Sequence, residues 1–207
     1  LSTALHLAQQ GVRTVVLEAH APGWGASGRN GGQVNPGLKP PPDTVEADFG
    51  PEQGARLVQM AWQDGPDLVF DLIKRYGINC DAARGGTLRA ATATGQLGPL
   101  RELERQCRAR NWPVHWLDRN AIAARTGHSL YCGGPLDMRG GQLNPLAYTQ
   151  GLVHAARPVG ASLFFRSPVL SLKRTGGRWQ IRRSHVWTPA PIRSHMASPG
   201  RQKRCGN

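Results

Sequence analysis

Leu1-Ser2-Thr3-Ala4-Leu5-His6-Leu7-Ala8-Gln9-Gln10-Gly11-Val12-Arg13-Thr14-Val15-Val16-Leu17-Glu18 opens the chain and sets its architecture. Leu1, Ala4, Leu5 and Ala8 recur at helical spacing, while His6, Gln9 and Gln10 are more polar. Gly11 is the stop signal, because a residue without Cβ tolerates the left-handed conformation that closes a helix. Thr14-Val15-Val16-Leu17 then reads as a buried β-branched strand, and it ends in Glu18. Helix, glycine, buried strand and terminal acid form the second half of a βαβ unit, so the fold class is α/β.

In a dinucleotide-binding crossover, a Gly-rich turn joins the first strand to the helix, and an acid ending the second strand bonds the ribose hydroxyls. Glu18 occupies the acid's place. The Gly-rich turn is not in the sequence, and counting back about 20 residues from the acid falls just before Leu1. The sequence also opens without Met or a basic leader, so it predicts a chain incomplete at its N-terminus. Taken alone, Glu18 reads equally well as a solvated charge at a strand end. Gly25-Ala26-Ser27-Gly28-Arg29-Asn30-Gly31-Gly32-Gln33 separates the two readings. Its glycines permit close backbone approach to a ligand, and successive amides can form an anion-binding concavity. Ser27, Arg29 and Asn30 add polar contacts. The plainer alternative is a flexible surface loop within a long connection over 21–42.

Further along, 51–76 is predicted largely helical, with Gly65-Pro66 breaking or kinking it. Strands are expected over Gly86–Ala93 and Val114–Leu117, with a helix on Leu100, Leu103 and Cys107 closing near Asn111. Asp118 is placed to cap a short helix ending at Gly127. Leu130–Met138 reads as a strand with a bulge at Gly133-Gly134. Asn144-Pro145 starts a helix to about Ala156. Strands follow over Ser162–Phe165, Val169–Lys173 and, after a Thr175-Gly176-Gly177 turn, Trp179–Ile181.

The net charge of +13 points to nucleic acid or an anionic surface, but it is uneven. Six basic and no acidic residues lie from Arg182 onward, so setting 182–207 aside lowers the charge by six, to +7. That segment reads as a basic tail, disordered or out of frame, because its composition changes where strand Trp179–Ile181 wants a continuation. Neither zinc-ligand spacing nor aromatic-basic alternation supports a nucleic-acid-binding protein, which stands as the alternative of another class. Cys80, Cys107, Cys132 and Cys205 form no C-x-x-C pair, so no metal site is expected and the thiols suit a reducing, cytoplasmic setting. His115, His128 and His154 have no catalytic partner in the sequence pattern. Trp62, Trp112, Trp116 and Trp179 read as core or half-buried. No apolar run is long enough to span a membrane.

Residues 1–17, Glu18 and Ala26-Ser27-Gly28-Arg29-Asn30-Gly31-Gly32-Gln33 resemble the D-amino-acid-oxidase type of FAD-dependent oxidoreductase. Tyr76–Asp81, Gly86–Ala91, Tyr131–Gly134, Asp137, Gly141–Leu146 and Tyr148 are similar to the gamma-glutamylputrescine oxidase group within it. The stretch from Gly160-Ala161 to Ser167-Pro168-Val169 resembles the strand whose Val backbone meets the adenine. The resemblance covers 1–181. It implies FAD as cofactor, held by Glu18 at the ribose, by Ala26, Ser27, Arg29, Asn30, Gly31, Gly32 and Gln33 along the pyrophosphate and flavin, and by Val169. Arg29 and Gln33 are expected to face the ring. Relatives carry His where Gln142 stands.

The resemblance further implies oxidation of a C–N bond in an amine or amino acid to an imine, with oxygen or another acceptor reoxidising the flavin. Acylated putrescine leads as substrate class, with glycine, sarcosine or a D-amino acid as alternatives for an oxidase or dehydrogenase. No catalytic residue is assigned, and the chain is expected to be an inactive piece lacking the Gly-rich turn and the parts after Ile181. The expected layout is a partial Rossmann-like FAD-binding domain from 1–42 and 141–181, an inserted α+β substrate-domain segment over 43–140, and the tail 182–207.

Overall fold

The computed structural model describes residues 1–183. The chain begins with helix α1 (Ser2–Gln9) and strand β1 (Val15–Leu17), joined through Gly11 at φ +76°. β1 pairs in parallel with β7 (Ser162–Phe164), Val16 opposite Leu163, as a βαβ reading requires. Helix α7 (Pro145–Ala156) runs into β7 and packs on α1. Ala4, Leu5, Ala8, Leu152, Ala155 and Ala156 form the shared core with Leu72 and Ile78. A glycine in α7 admits Ile78 to this core: a Cβ on Gly151 would stand 2.2 Å from Ile78 Cγ2. Full burial of Leu5 contributes on the order of 2 kcal/mol. Asn144 caps α7 by accepting from the Ala147 amide at 3.1 Å, with Pro145 in the first turn.

Between β1 and α7 the chain makes a short β2 (Gln33–Val34), then helices α2 (Pro42–Phe49), α3 (Pro51–Val58) and α4 (Gly65–Tyr76). Gly65-Pro66 does not break the helical path. A π-helical segment, Gln59–Asp64, joins α3 to α4, and the Gly65 amide reaches back five residues to the Met60 carbonyl. The wider turn accommodates the missing proline amide. It leaves the Ala61 carbonyl free to accept from the Gly37 amide at 2.9 Å.

A three-stranded antiparallel sheet follows, in the order β3 (Thr87–Leu88), β5 (Gly133–Asp137), β4 (Val114–Asp118). The expected strand over 86–93 shortens to β3 plus a single bridge from Ala91 to Gly133. The expected bulge is absent: β5 pairs residue for residue with β4 from Asp137 to Gly133. Gly134 instead serves close approach, because a Cβ there would lie 2.1 Å from the Arg89 carbonyl oxygen. Helix α5 (Leu97–Ala109) covers the sheet, and Arg110 beyond it bridges Asp43 and Glu46 of α2, each at 2.8 Å. Asp118 caps α6 (Arg119–Thr126) at 2.8 Å from the Ala121 amide, and Gly127 ends it in the left-handed region.

β6 (Gly141–Gln142) pairs antiparallel with β2 and returns the chain to α7. Beyond β7, β8 (Val169–Thr175) and β9 (Arg178–Arg183) form a hairpin. β9 runs to Arg183, past the expected end at Ile181, so Arg182 and Arg183 are strand residues. The rest of the expected tail lies outside the described residues. Trp62 is buried, whereas Trp179 is 62% exposed on the hairpin and departs from the core or half-buried expectation.

Candidate functional site

A cleft of about 720 Å³ opens where β1 and β7 end. Glu18 and Phe165, each one residue past its strand, form part of the wall with Leu1 and Ser2 at the start of α1. Ligands of open α/β sheets bind at this place, outside the carboxyl ends of parallel strands. Glu18 is fixed on both backbone sides: its amide donates to the Phe164 carbonyl at 2.9 Å, and its carbonyl accepts from the Ser167 amide at 2.8 Å. Its carboxylate accepts from the His20 amide at 2.8 Å while the residue keeps a face on the cleft.

The loop after β1 closes on itself by glycine contacts. A Cβ on Gly28 would fall 2.1 Å from the Gly23 carbonyl oxygen, and one on Gly32, at φ +68°, 2.0 Å from the Leu143 carbonyl oxygen. Asn30 ties the ring from inside, accepting from the Gly32 amide at 2.8 Å and donating to the Ala26 and Ser27 carbonyls. The Leu143 amide donates to the Gly32 carbonyl at 2.8 Å, and the Thr149 hydroxyl reaches the Ser27 carbonyl at 3.3 Å. The loop is therefore held against α7, in contrast to the flexible surface loop that its glycines alone also permit.

Of the residues singled out from sequence, Glu18, Ser27, Asn30, Gly32 and Gln33 line the cleft together. Ala26, Gly31, Arg29 and Val169 do not line it. Ala26 starts the single 3-10 turn of the loop, and Gly31 is exposed beside Gly32. The Arg29 guanidinium lies 4.8 Å over the Trp24 ring, which stacks on His20 at 3.8 Å. Val169 begins β8 opposite Arg183. His115, His128 and His154 are exposed, and among the described residues no group of three or more His, Cys, Asp or Glu is placed to hold a metal ion.

The opposite wall was not legible from the motif. Ala61, Gly65, Pro66 and Val69 reach it from the π segment and α4, and Tyr148 and Leu152 from α7. The Gly-Pro pair is the one sequence signal that marks this wall. Burial pushes the Tyr148 phenol above its ordinary value, and the nearby Cys80 adds to this. Burial also raises the Cys80 and Cys107 thiols, Cys107 to about 11. Cys80, Cys107 and Cys132 are free. No helix among the described residues is long and apolar enough to cross a membrane.

The chain is 38% identical over 176 residues to gamma-glutamylputrescine oxidoreductase of Escherichia coli (strain K12), covering 84% of this chain and 41% of that protein. It thus spans about two fifths of the length of the curated relatives it matches. Glycine oxidase from Geobacillus kaustophilus superposes with a TM-score of 0.68 at 20% identity, over 87% of this chain and 47% of that one. L-alpha-glycerophosphate oxidase from Mycoplasma pneumoniae, solved dithionite-reduced with FAD bound, gives 0.65 at 16% identity, over 91% and 48%. These likenesses show the fold. The sequence pattern of the family described as FAD dependent oxidoreductase matches residues 1–191, which runs beyond the compositional change at Arg182. The chain belongs to this family of FAD-dependent oxidoreductases.

Proposed function

We propose that the cleft is the FAD site of an enzyme that oxidises a C–N bond of an amine, with acylated putrescine as the leading substrate class. The observation that carries the FAD site is the position of the cleft: it joins Glu18 at the end of β1, the start of α1 and the glycine-tied loop on one wall. The residues fit the cofactor. Gly25 lines the cleft, and a Cβ added there would meet nothing within 4 Å, so open space stands before its backbone. The volume lies within the range of about 300–1,000 Å³ typical of small-molecule sites.

Glu18 is placed to accept from ribose hydroxyls. Ser27, Asn30, Gly32 and Gln33 carry the contact toward pyrophosphate and flavin along the loop, and Ala26, Arg29 and Gly31 support it from outside the cleft. Val169 belongs to the same proposal as the adenine contact, although it lies outside the cleft wall. A flavin held in this cleft would supply the acceptor for a hydride from the carbon next to nitrogen. The apolar wall of Ala61, Pro66, Val69 and Leu152 excludes water from that side.

The layout of a FAD-binding part from 1–42 and 141–181 around a substrate segment 43–140 belongs to the same proposal. The preference for acylated putrescine rests on the likeness to the Escherichia coli oxidoreductase. Glycine, sarcosine and D-amino acids stand behind it as the second substrate class. Oxygen or another small acceptor completes the turnover. The free thiols support a reducing, cytoplasmic setting.

Titrating the 207-residue chain with FAD tests the site. One equivalent is expected to bind, with flavin fluorescence changing on saturation. Gly25→Val, which places a branched side chain at the cleft wall, is expected to weaken binding at least tenfold. Equal affinity in Gly25→Val and the parent chain would remove FAD from this cleft.

A further inference from the structure

A second cavity, of about 340 Å³, lies beside the β2–β6 ladder and shares Gln33 and Asn35 with the cleft. Its remaining wall is Ala83, Gly85–Leu88, Gly141 and Gln142. Among the described residues no charged side chain lines it. The nearest candidate, Arg84, is engaged elsewhere: it pairs with Asp67, donates to the Arg139 carbonyl at 3.3 Å and lies 5.0 Å over Phe70.

The backbone that carries the Gln33 and Gln142 amides is fixed. Gln33 and Gln142 are directly opposed across the antiparallel ladder, so their side chains share one face. The Gln142 backbone is bound on its other side too, exchanging both hydrogen bonds with Ala83 at 2.9 Å. On the Gln33 side neighbouring side chains orient the amide. The Thr87 hydroxyl is shared between Asn35 Oδ1 at 3.2 Å and the Val34 carbonyl at 3.4 Å, and Asn35 Nδ2 donates to Gln33 Oε1 at 3.3 Å. This leaves Gln33 Nε2 as a donor and the Gln142 amide as donor and acceptor together, without side-chain partners among the described residues.

We infer that this cavity is a subsite for a neutral amide group of the substrate, read by Gln33 and Gln142 and positioned by Asn35 and Thr87. The inference rests on the preceding one, because the shared wall is what places an occupant beside the flavin. An amide offers one acceptor and one donor, which the two glutamines match. A carboxylate would find donors but no cation, and an ammonium would find one acceptor oxygen and no anion. Either ion would meet no opposite charge among the described residues, so the lining favours a neutral amide over both.

Three probes with the same four-carbon chain separate these cases: N-butylacetamide, butyrate and butylammonium. Each is titrated into the full chain with side-chain amide NMR signals of Gln33 and Gln142 as the readout, and FAD is titrated into a parallel sample. N-butylacetamide is expected to bind at least tenfold tighter than either ion and to shift those signals. Gln142→Glu is expected to reverse the order in favour of butylammonium, and Gln33→Glu provides the same test if the first variant does not fold. Equal binding of the three probes, a preference for an ion, no binding of the amide, or shifts confined to other residues would each overturn the inference. FAD binding without amide preference sinks only this subsite. Amide preference without FAD binding sinks only the cofactor site.

Discussion

A single methyl group added at Gly32 tests whether the loop is a built cradle. Gly32 sits at φ +68°, and its new Cβ would lie 2.0 Å from the Leu143 carbonyl oxygen, a backbone atom with no freedom to swing away. Holding an L-residue in the left-handed region costs about 1–2 kcal/mol. Pushing the loop off α7 breaks the 2.8 Å bond from the Leu143 amide to the Gly32 carbonyl, a loss of about 1 kcal/mol. Gly32→Ala should therefore destabilise the chain by about 2–3 kcal/mol. With a urea m-value of about 2 kcal/mol/M, the midpoint falls by about 1–1.5 M. Gly31→Ala is the matched control, because its Cβ meets nothing within 4 Å and its φ lies outside the left-handed region. That variant should stay within about 0.3 M of the parent in urea melts followed by circular dichroism. Equal midpoints for the two variants would refute the reasoning.

The Arg139–Asp137 pair is buried over Trp112, with the guanidinium 4.1 Å from the ring and Arg139 Nη1 without a hydrogen bond. Asp137→Ala strands that cation and should cost about 3–5 kcal/mol in urea unfolding, whereas a loss below 1 kcal/mol would contradict the pairing. The Cys107 thiol is raised by burial from 9.0 to about 11, so folding favours its neutral form. Its contribution is therefore complete below pH 9 and is lost as pH rises through about 11. Cys107→Ala should flatten the fall in thermal midpoint across that window, and an unchanged slope would remove the thiol from the account. Asn144→Ala should cost about 1 kcal/mol through loss of the α7 cap, checked by the same melts.

Much of the scaffold was legible because local chemistry decides it. Asp118 and Asn144 announce their helices by side chains that accept the amide three residues on, and Gly11 marks the end of α1 by its left-handed conformation. The acid at the end of β1 and the loop beyond it could be read for the same reason. Features set by distant partners were less visible. Gly65-Pro66 resembles a helix break in sequence, but a π turn carries the helix through it, and the carbonyl this frees on Ala61 is taken by the distant Gly37 amide. Gly133-Gly134 resembles a bulge, but the Arg89 backbone, far along the chain, is what needs the missing side chain. Helix α2 carries no strong apolar period and is held by Arg110 and by Gln106, which accepts from the Asp43 amide at 3.0 Å. Arg29 was expected at the ring because of its motif, while the nearby aromatic face of Trp24 holds its guanidinium.

Hydrogen exchange of the chain with and without FAD, resolved by peptide, tests the central claim most directly. If the cleft is the cofactor site, FAD slows exchange over 16–35 and 143–152, the segments that form its loop and α7 walls, and leaves α5 and α6 unchanged. Protection centred on α5 and α6, or no protection at saturating FAD, would contradict it.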